Sequence, residues 1–408
     1  MKPYFTTFFL LFLFVFPFSA YAQDSIRFDE SGLESVMQRA KVEKKPIFYM
    51  AYADWCPHCK NIKATTLKDP EVVSFMNANY VFAGLNFEKP GSEDFKTKYN
   101  VKTFPTFLVL DENGQELARF TGELKKDKFL SEVKLALNPK QQLPYLKAEY
   151  EKDKTNGLNL MRYLVALKKG KDRNELNPIA HEYFEKLTDD KIVNEVNWKI
   201  FTNGVSDIAS REYQFVITNQ QAFAAITSQK RVNDKFKNSV MELLKPVVKT
   251  NDVANYKKQR AIAKTINSPM IDSLLFQYDL DHYEFNSNWN EYKKVAAADI
   301  KKYVWNSPKE IKSIVLNVMR NSTDAASLNQ SLSWIKHSNE LEESYDGILL
   351  EARVQRKLNN IPVAIIITKK AKAFSTQMGW DGKEADKLLA DLLERKKIAA
   401  KPAAKTKK

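Results

Sequence analysis

Cysteine is almost absent: the chain of 408 residues has two, Cys56 and Cys59. Exported proteins that depend on disulfides for stability scatter cysteines so that they close long loops. A single pair with two residues between closes so short a loop that it constrains little of the unfolded chain. That excludes a disulfide-stapled fold and leaves redox chemistry as the explanation of the pair. Histidine is scarce as well. His58 lies between the cysteines, and His181, His282 and His337 are scattered without ligand spacing. Zinc asks for four ligands, or three and an open position, so two sulfurs do not make a metal site. Haem attachment asks for histidine directly after the second cysteine, where this chain has Lys60. No metal and no cofactor are expected.

Long apolar runs are missing too, with one exception at the start. Lys2 supplies a positive charge, Phe5 to Phe16 is almost wholly apolar, and Ala20-Tyr21-Ala22 gives a small-x-small cleavage pattern before Gln23. The apolar run is about a dozen residues, short of the ~20 that a spanning helix needs. Residues 1–22 therefore read as a cleaved signal peptide. No cysteine follows it, so no lipid anchor is expected there. With no later spanning segment, the mature protein is expected to be soluble and periplasmic or otherwise exported.

The net charge of +14 suggests nucleic acid at first sight. However, Arg395 to Lys408 holds seven basic residues and no acidic one, and Lys2 leaves with the signal; removing these eight from +14 leaves +6. A tail of Lys, Ala and Pro reads as a solvated end, so residues 396–408 are expected to be a basic disordered tail. No basic patch interleaved with aromatics stands out, and no nucleic-acid partner is expected.

From about Ser25 to Leu137 the pattern alternates between strands and helices. Asp29 or Ser31 can cap a helix running through Lys41, with Leu33, Val36, Met37 and Ala40 as its apolar face. Ile47 to Tyr52 is a short apolar strand, and a helix containing the cysteines opens at Asp54 or Trp55. Pro70 suits the first turn of a helix over 71–77, and Tyr80 to Phe87 is a second buried strand. Phe107 to Leu110 and Leu117 to Phe120 flank Asp111-Glu112-Asn113-Gly114, a hairpin signal. Lys125 to Leu137 is a closing helix, stopped by Asn138-Pro139. Beyond it the strand-like runs largely vanish. Leu176, Ile179, Ala180, Tyr183, Phe184 and Leu187 mark one helical face. Ala352, Ala364 and Ala371 have the spacing of small residues in tetratricopeptide repeats, although the Trp, Tyr and Pro of that pattern are missing. Residues 140–395 are expected to be all-helical, as a degenerate repeat array or as a plain bundle. The expected division is a strand-and-helix domain over 24–139, this helical domain, and the tail.

In Trp55-Cys56-Pro57-His58-Cys59-Lys60, disulfide exchange needs a thiolate to attack, and a free cysteine is mostly protonated at neutral pH. Cys56 at a helix start meets orphan N–H groups and the positive end of the helix dipole. Cys59, one turn on, is the thiol that resolves a mixed disulfide. Pro57 fixes the helix start, and His58 adds a second stabiliser of the thiolate.

Tyr52-Ala53-Asp54-Trp55-Cys56, then Asp69-Pro70-Glu71-Val72, Thr103-Phe104-Pro105-Thr106 and Asp111-Glu112-Asn113-Gly114-Gln115-Glu116 together resemble the thioredoxin superfamily. They are most similar to the C-terminal thioredoxin-like domain of membrane thiol:disulfide interchange proteins. The resemblance covers roughly residues 28–138. It implies an α/β thioredoxin-like domain, a mixed central sheet flanked by helices, with the cysteines at the tip of the first core strand. It implies that Pro105 is cis and faces the cysteines, that Phe104 offers backbone groups to an extended substrate, and that Trp55 is the aromatic beside the nucleophile. The dipeptide Pro57-His58 matches the strongly oxidising DsbA. Two departures stand out. Many thioredoxins carry a buried acid six residues before the first cysteine, where this chain has Met50, and often a partner lysine, where it has Gly84. Loss of one alone would leave a buried charge unpaired, so the double loss is self-consistent.

The resulting expectation is an exported thiol–disulfide oxidoreductase acting on protein thiols and disulfides. A redox partner protein would recharge it, and a further protein partner would bind the helical region. The alternative is a non-catalytic partner-binding protein on a thioredoxin scaffold. Loss of a cysteine or of Pro105 would favour that alternative, and none is lost.

Overall fold

The computed structural model describes residues 26, 28–171 and 173–399. The expected signal peptide and residues 400–408 of the expected tail lie outside them, while residues 396–399, expected to be disordered, continue the last helix, Lys383–Ala399. The chain divides into two compact units, the first running to Asp207 and the second beginning at Ile208.

The first unit is built on β1 (Ile47–Tyr52), β2 (Val81–Asn86), β3 (Thr106–Leu110) and β4 (Glu116–Thr121). The sheet order is β2-β1-β3-β4. β1 runs parallel to β2 and antiparallel to β3, and β3 and β4 form an antiparallel hairpin. All six residues of β1 are buried, as a central strand covered on both faces requires. Side chains alternate across a strand, so β1 feeds two cores. Phe48, Met50 and Tyr52 join Phe82, Phe107, Phe120 and Phe129 on one face. Ile47, Tyr49 and Ala51 join Val36, Ala40, Phe95 and Tyr99 on the other. The first face is covered by α2 (Pro57–Ala64), α3 (Pro70–Asn79) and α5 (Lys126–Ala136), the second by α1 (Leu33–Glu43) and α4 (Ser92–Lys98). The mixed sheet flanked by helices is thus the expected one.

Local chemistry sets the ends of these elements. Asp69 accepts hydrogen bonds from the backbone N–H groups of Glu71 and Val72, with Pro70 in the first turn of α3. In the hairpin turn, Asp111 accepts from the N–H of Asn113 and of Gln115, and Gly114 takes φ 78°. Three details differ from expectation. α1 starts at Leu33 behind Gly32 with no side-chain cap, because the Asp29 carboxylate takes the Ser31 N–H and Arg39 and so is not spent on a helix N–H. α2 begins at Pro57, later than Asp54 or Trp55, because the Cys56 N–H turns back to the Ala53 carbonyl and Cys56 itself is extended. α4 went unanticipated: it has one buried apolar side chain, Phe95, and so no apolar stripe.

Strands end at β4 among the described residues. α6 (Leu143–Lys152), α7 (Gly157–Leu167), α8 (Arg173–Glu185) and α9 (Glu195–Gly204) complete the first unit, with α6 packed on β4. The chain change at Asn138-Pro139 is therefore one of secondary structure, and the compact unit continues beyond it. Arg119 of β4 is buried between Glu116 and the carbonyls of Tyr99 and Asn100, and a Cβ added at Gly170 would lie 2.8 Å from its Nε. Glycine at 170 is what lets the turn after α7 approach that arginine.

The second unit is helical throughout its described secondary structure, from Arg211–Thr218 to Lys383–Ala399. Helices adjacent in sequence pack on one another along the chain's C-terminal part, and Pro308–Asn321 also touches Tyr345–Lys357. Ala352, Ala364 and Ala371 are buried in one apolar cluster with Leu388 and Leu392. Two of the scattered histidines are packing residues. His282 stacks on Tyr256 and bonds the Val248 carbonyl, and His337 stacks on Trp305 and bonds its carbonyl. No described helix is long and apolar enough to cross a membrane.

Candidate functional site

β1 delivers the chain to the end of the sheet, and Ala53-Asp54-Trp55 turn it into α2. Cys56 is the N-cap of that helix (φ −75°, ψ 113°), with Pro57 in the first turn. Its Sγ accepts a hydrogen bond from the Cys59 N–H at 3.4 Å, as a capping oxygen would. Both cysteines are free thiols and both are buried. A negative charge on Cys56 would therefore meet an N–H already aimed at it and the positive end of the helix dipole.

Across the site, the Phe104–Pro105 peptide bond is cis. The Cys56 thiol donates to the Phe104 carbonyl at 3.6 Å, so residues far apart in sequence meet at this sulfur. Phe104 stands between two rings, Trp55 at 6.1 Å and Phe87 at 5.1 Å between centroids. Trp55 is 65% exposed, leaving a large apolar surface beside the sulfurs. Pro57 and His58 are exposed as well. Every sequence-derived site residue is thus around the two sulfurs, and the structure adds one more: the Glu123 carboxylate, which takes His58 Nδ1 at 2.9 Å and the amide of Asn61. Those contacts hold the Glu123 carboxyl below the usual carboxylate range. Glu123 lies in the β4–α5 connection, far from the cysteines in sequence, and no motif points to it.

Cys59 faces inward. Burial, and next the contact with Cys56, push its thiol up to about 12, opposed by a backbone hydrogen bond from Ala53 and by the charge of Lys63. Behind it, Met50 is 0% exposed and stands in register between Gly84 on β2 and Phe107 on β3. The place a residue-84 side chain would take is filled: a Cβ on Gly84 would lie 3.3 Å from Cβ and Cδ1 of Phe28. Phe28 comes from the segment before α1, where Asp29 forms an isolated parallel bridge with Ala83. An aromatic ring from elsewhere in the chain thus takes the space beside residue 84, which the sequence could not reveal. Among the described residues no cluster of His, Cys, Asp and Glu is arranged to hold a metal ion.

Residues 33–137 match the family model described as a thioredoxin-like domain. A thiol:disulfide interchange protein DsbD of Campylobacter jejuni is 28% identical over 104 residues, 25% of this chain and 18% of that protein. DsbD of Haemophilus ducreyi is 31% identical over 111 residues, 24% of this chain and 19% of that protein. The crystal structure of the DsbD C-terminal domain of Neisseria meningitidis in the oxidised form is 25% identical, covering 24% of this chain and 88% of that one, with a TM-score of 0.23. The chain spans about a fifth of the length of these curated relatives. Sheet order, paired cysteines at the start of α2 and family match agree: residues 33–137 of this chain are a thioredoxin-like domain.

Proposed function

We propose that the protein is an exported, periplasmic thiol–disulfide oxidoreductase that exchanges disulfides with protein substrates. The observation that carries this reading is the setting of Cys56: its sulfur caps α2, receives the Cys59 N–H and faces the Phe104 carbonyl beside Pro105. In the reducing direction the Cys56 thiolate attacks a substrate disulfide. One substrate sulfur leaves with the electron pair and a proton, and the other stays joined to Cys56. The Cys59 thiol then loses its proton and attacks Cys56 Sγ. The second substrate sulfur is released as a thiol, and Cys56–Cys59 becomes the disulfide. The oxidising direction runs the same steps backwards.

In this reading Phe104 presents backbone groups to an extended substrate segment, Trp55 and the Phe104 ring give it an apolar wall, and Pro57 and His58 tune the thiolate. The helical region recruits protein partners, and a redox partner recharges the cysteines. DsbD relatives carry the description thiol:disulfide interchange protein, which supports substrates of this class.

The test is insulin reduction by the mature protein beside Cys56→Ser and Cys59→Ser. The reading expects both variants to be inactive and Cys59→Ser alone to accumulate mixed disulfides with its clients. Equal activity of wild type and Cys56→Ser would end the enzyme reading, and equal trapping by the two variants would reverse the roles of the cysteines.

A further inference from the structure

With Met50 and Gly84 behind it, the inward-facing thiol of Cys59 meets an apolar wall and, among the described residues, no carboxylate. One charged group does reach this side of the site. Lys63 lies one helical turn beyond Cys59 on α2, so the two side chains are neighbours on one face of the helix. It is half-buried. Its ammonium does not run out to solvent but lies 3.1 Å from the centroid of the Tyr52 ring and 5.7 Å from that of Phe28. It makes no ion pair or hydrogen bond among the described residues.

The aromatic seat is itself fixed. The Tyr52 hydroxyl donates to Glu30 Oε1 at 2.6 Å, and Lys89 donates to the other oxygen of that carboxylate at 2.6 Å. Phe28 is the ring that fills the space over Gly84. The ring that leaves no room for a side chain at residue 84 of β2 therefore forms part of the seat of a lysine on α2.

Resting on the reading of Cys59 as the resolving thiol, we propose that Lys63 is a positioning residue for that step: its ammonium, seated on Tyr52 and Phe28, supports the thiolate that Cys59 must become. The charged and titratable groups around it are few. Glu30 and Asp54 also attract the ammonium, Lys89 repels it, and Cys56 is the other group coupled to Cys59. Burial holds the Lys63 ammonium below the usual lysine range, and the negative charge of Cys59 opposes that fall. Glu30 is engaged by Tyr52 and Lys89, and Asp54 accepts from the Asn86 amide at 2.7 Å. When Cys59 ionises within the mixed disulfide, its proton leaves to water. The new thiolate is held beside an ammonium that carries no carboxylate of its own. The sulfur then attacks Cys56 Sγ, and the electron pair of the broken bond leaves on the substrate sulfur.

The experiment uses the reduced full chain and glutathione disulfide, with acid quenching and mass spectrometry to separate the two steps. Uptake of one glutathione reports Cys56, and its later release reports Cys59. Lys63→Met keeps the apolar stem and removes the charge. It is expected to slow the release step about tenfold at neutral pH and to move the rise of its pH profile up by about one unit, the equivalent in pKa. Uptake should stay within about twofold, and Lys63→Arg should restore most of the release rate. Superimposable release profiles for wild type and Lys63→Met would overturn the assignment. So would equal slowing of both steps, which is structural damage, or a failure of arginine to restore the rate. A wild type that takes up no glutathione at all would instead sink the oxidoreductase reading on which the assignment rests.

Discussion

Replacing Met50 with aspartate should give a protein whose destabilisation grows steeply from acid to base. Met50 is 0% exposed, lies in one cluster with Cys56, Cys59 and Ile62, and has Gly84 and Phe107 as its register neighbours. An acid buried without a partner favours its neutral form, and such sites raise a carboxyl pKa by about 3–5 units from an unfolded value of about 3.9. Between about pH 4 and pH 7–9 the native state then keeps a proton that the unfolded state has released. Stability falls with rising pH across that window and levels off above the native pKa. At 1.36 kcal/mol per unit, the loss totals about 4–7 kcal/mol. A domain's whole stability is about 5–15 kcal/mol, so the variant should be close to unfolding at pH 8. Loss of methionine packing adds a cost that does not depend on pH, and Met50→Asn measures it. Urea unfolding of wild type, Met50→Asp and Met50→Asn at pH 4 and pH 8 is the assay, with the cysteines oxidised so that no thiol titrates. The Asn gap should be constant and the Asp gap should widen by about 4 kcal/mol or more. An Asp gap of the same size at both pH values would refute the reasoning, since the carboxylate would then have found water or a cation behind Cys59.

Two further outcomes follow from the same site. The Cys59 thiol is pushed up to about 12, chiefly by burial, against about 8.5 in an unfolded chain. The reduced native state therefore holds a proton that the unfolded chain gives up, and its stability falls as pH rises above about 8.5. The difference between reduced and oxidised unfolding midpoints should drift steadily against the reduced form between about pH 9 and 10.5, and a constant difference would show that Cys59 is not shielded. His58→Pro should lower the redox potential by about 30 mV or more from a wild-type value between the roughly −270 mV of thioredoxin and −120 mV of DsbA. A glutathione titration in which the potential does not move would show that the His58 ring, tied to Glu123 at 2.9 Å, has no part in setting the poise.

The α/β half of the fold was legible because its signals are local. Ile47–Tyr52 reads as a buried strand, Asp111 to Gly114 as a hairpin turn and Asp69-Pro70 as a helix start, and each depends on residues within a few positions. The paired sulfurs at a helix start were legible for the same reason. α4 was not, because Phe95 is its one buried apolar side chain and its other residues are charged or polar. Glu123, Phe28 and Lys63 were missed on different grounds. Glu123 and Phe28 reach the site through tertiary contacts with no sequence spacing to announce them. Lys63 is close in sequence, but a lysine one turn along an amphipathic helix ordinarily points to solvent. What brings it inward is the ring of Tyr52 at the end of β1. The continuation of the first unit past Pro139 was also hidden, because it rests on tertiary contacts such as those of α6 with β4 and of Gly170 with Arg119.

Asp29 occupies a sheet edge that would otherwise be open. β2 is the outermost strand on its side, and an outermost strand offers unpaired N–H and C=O groups to any extended chain that passes. Here the Asp29 N–H bonds the Phe82 carbonyl and the Gly84 N–H bonds the Asp29 carbonyl, at 3.2 and 3.0 Å. Arg39 fastens the arrangement from α1, donating to the Asp29 carboxylate and to the same Phe82 carbonyl. With the middle of β2 paired to Asp29, an extended chain is steered away from stacking onto that side of the sheet, which under the proposed function favours pairing at the backbone beside Cys56.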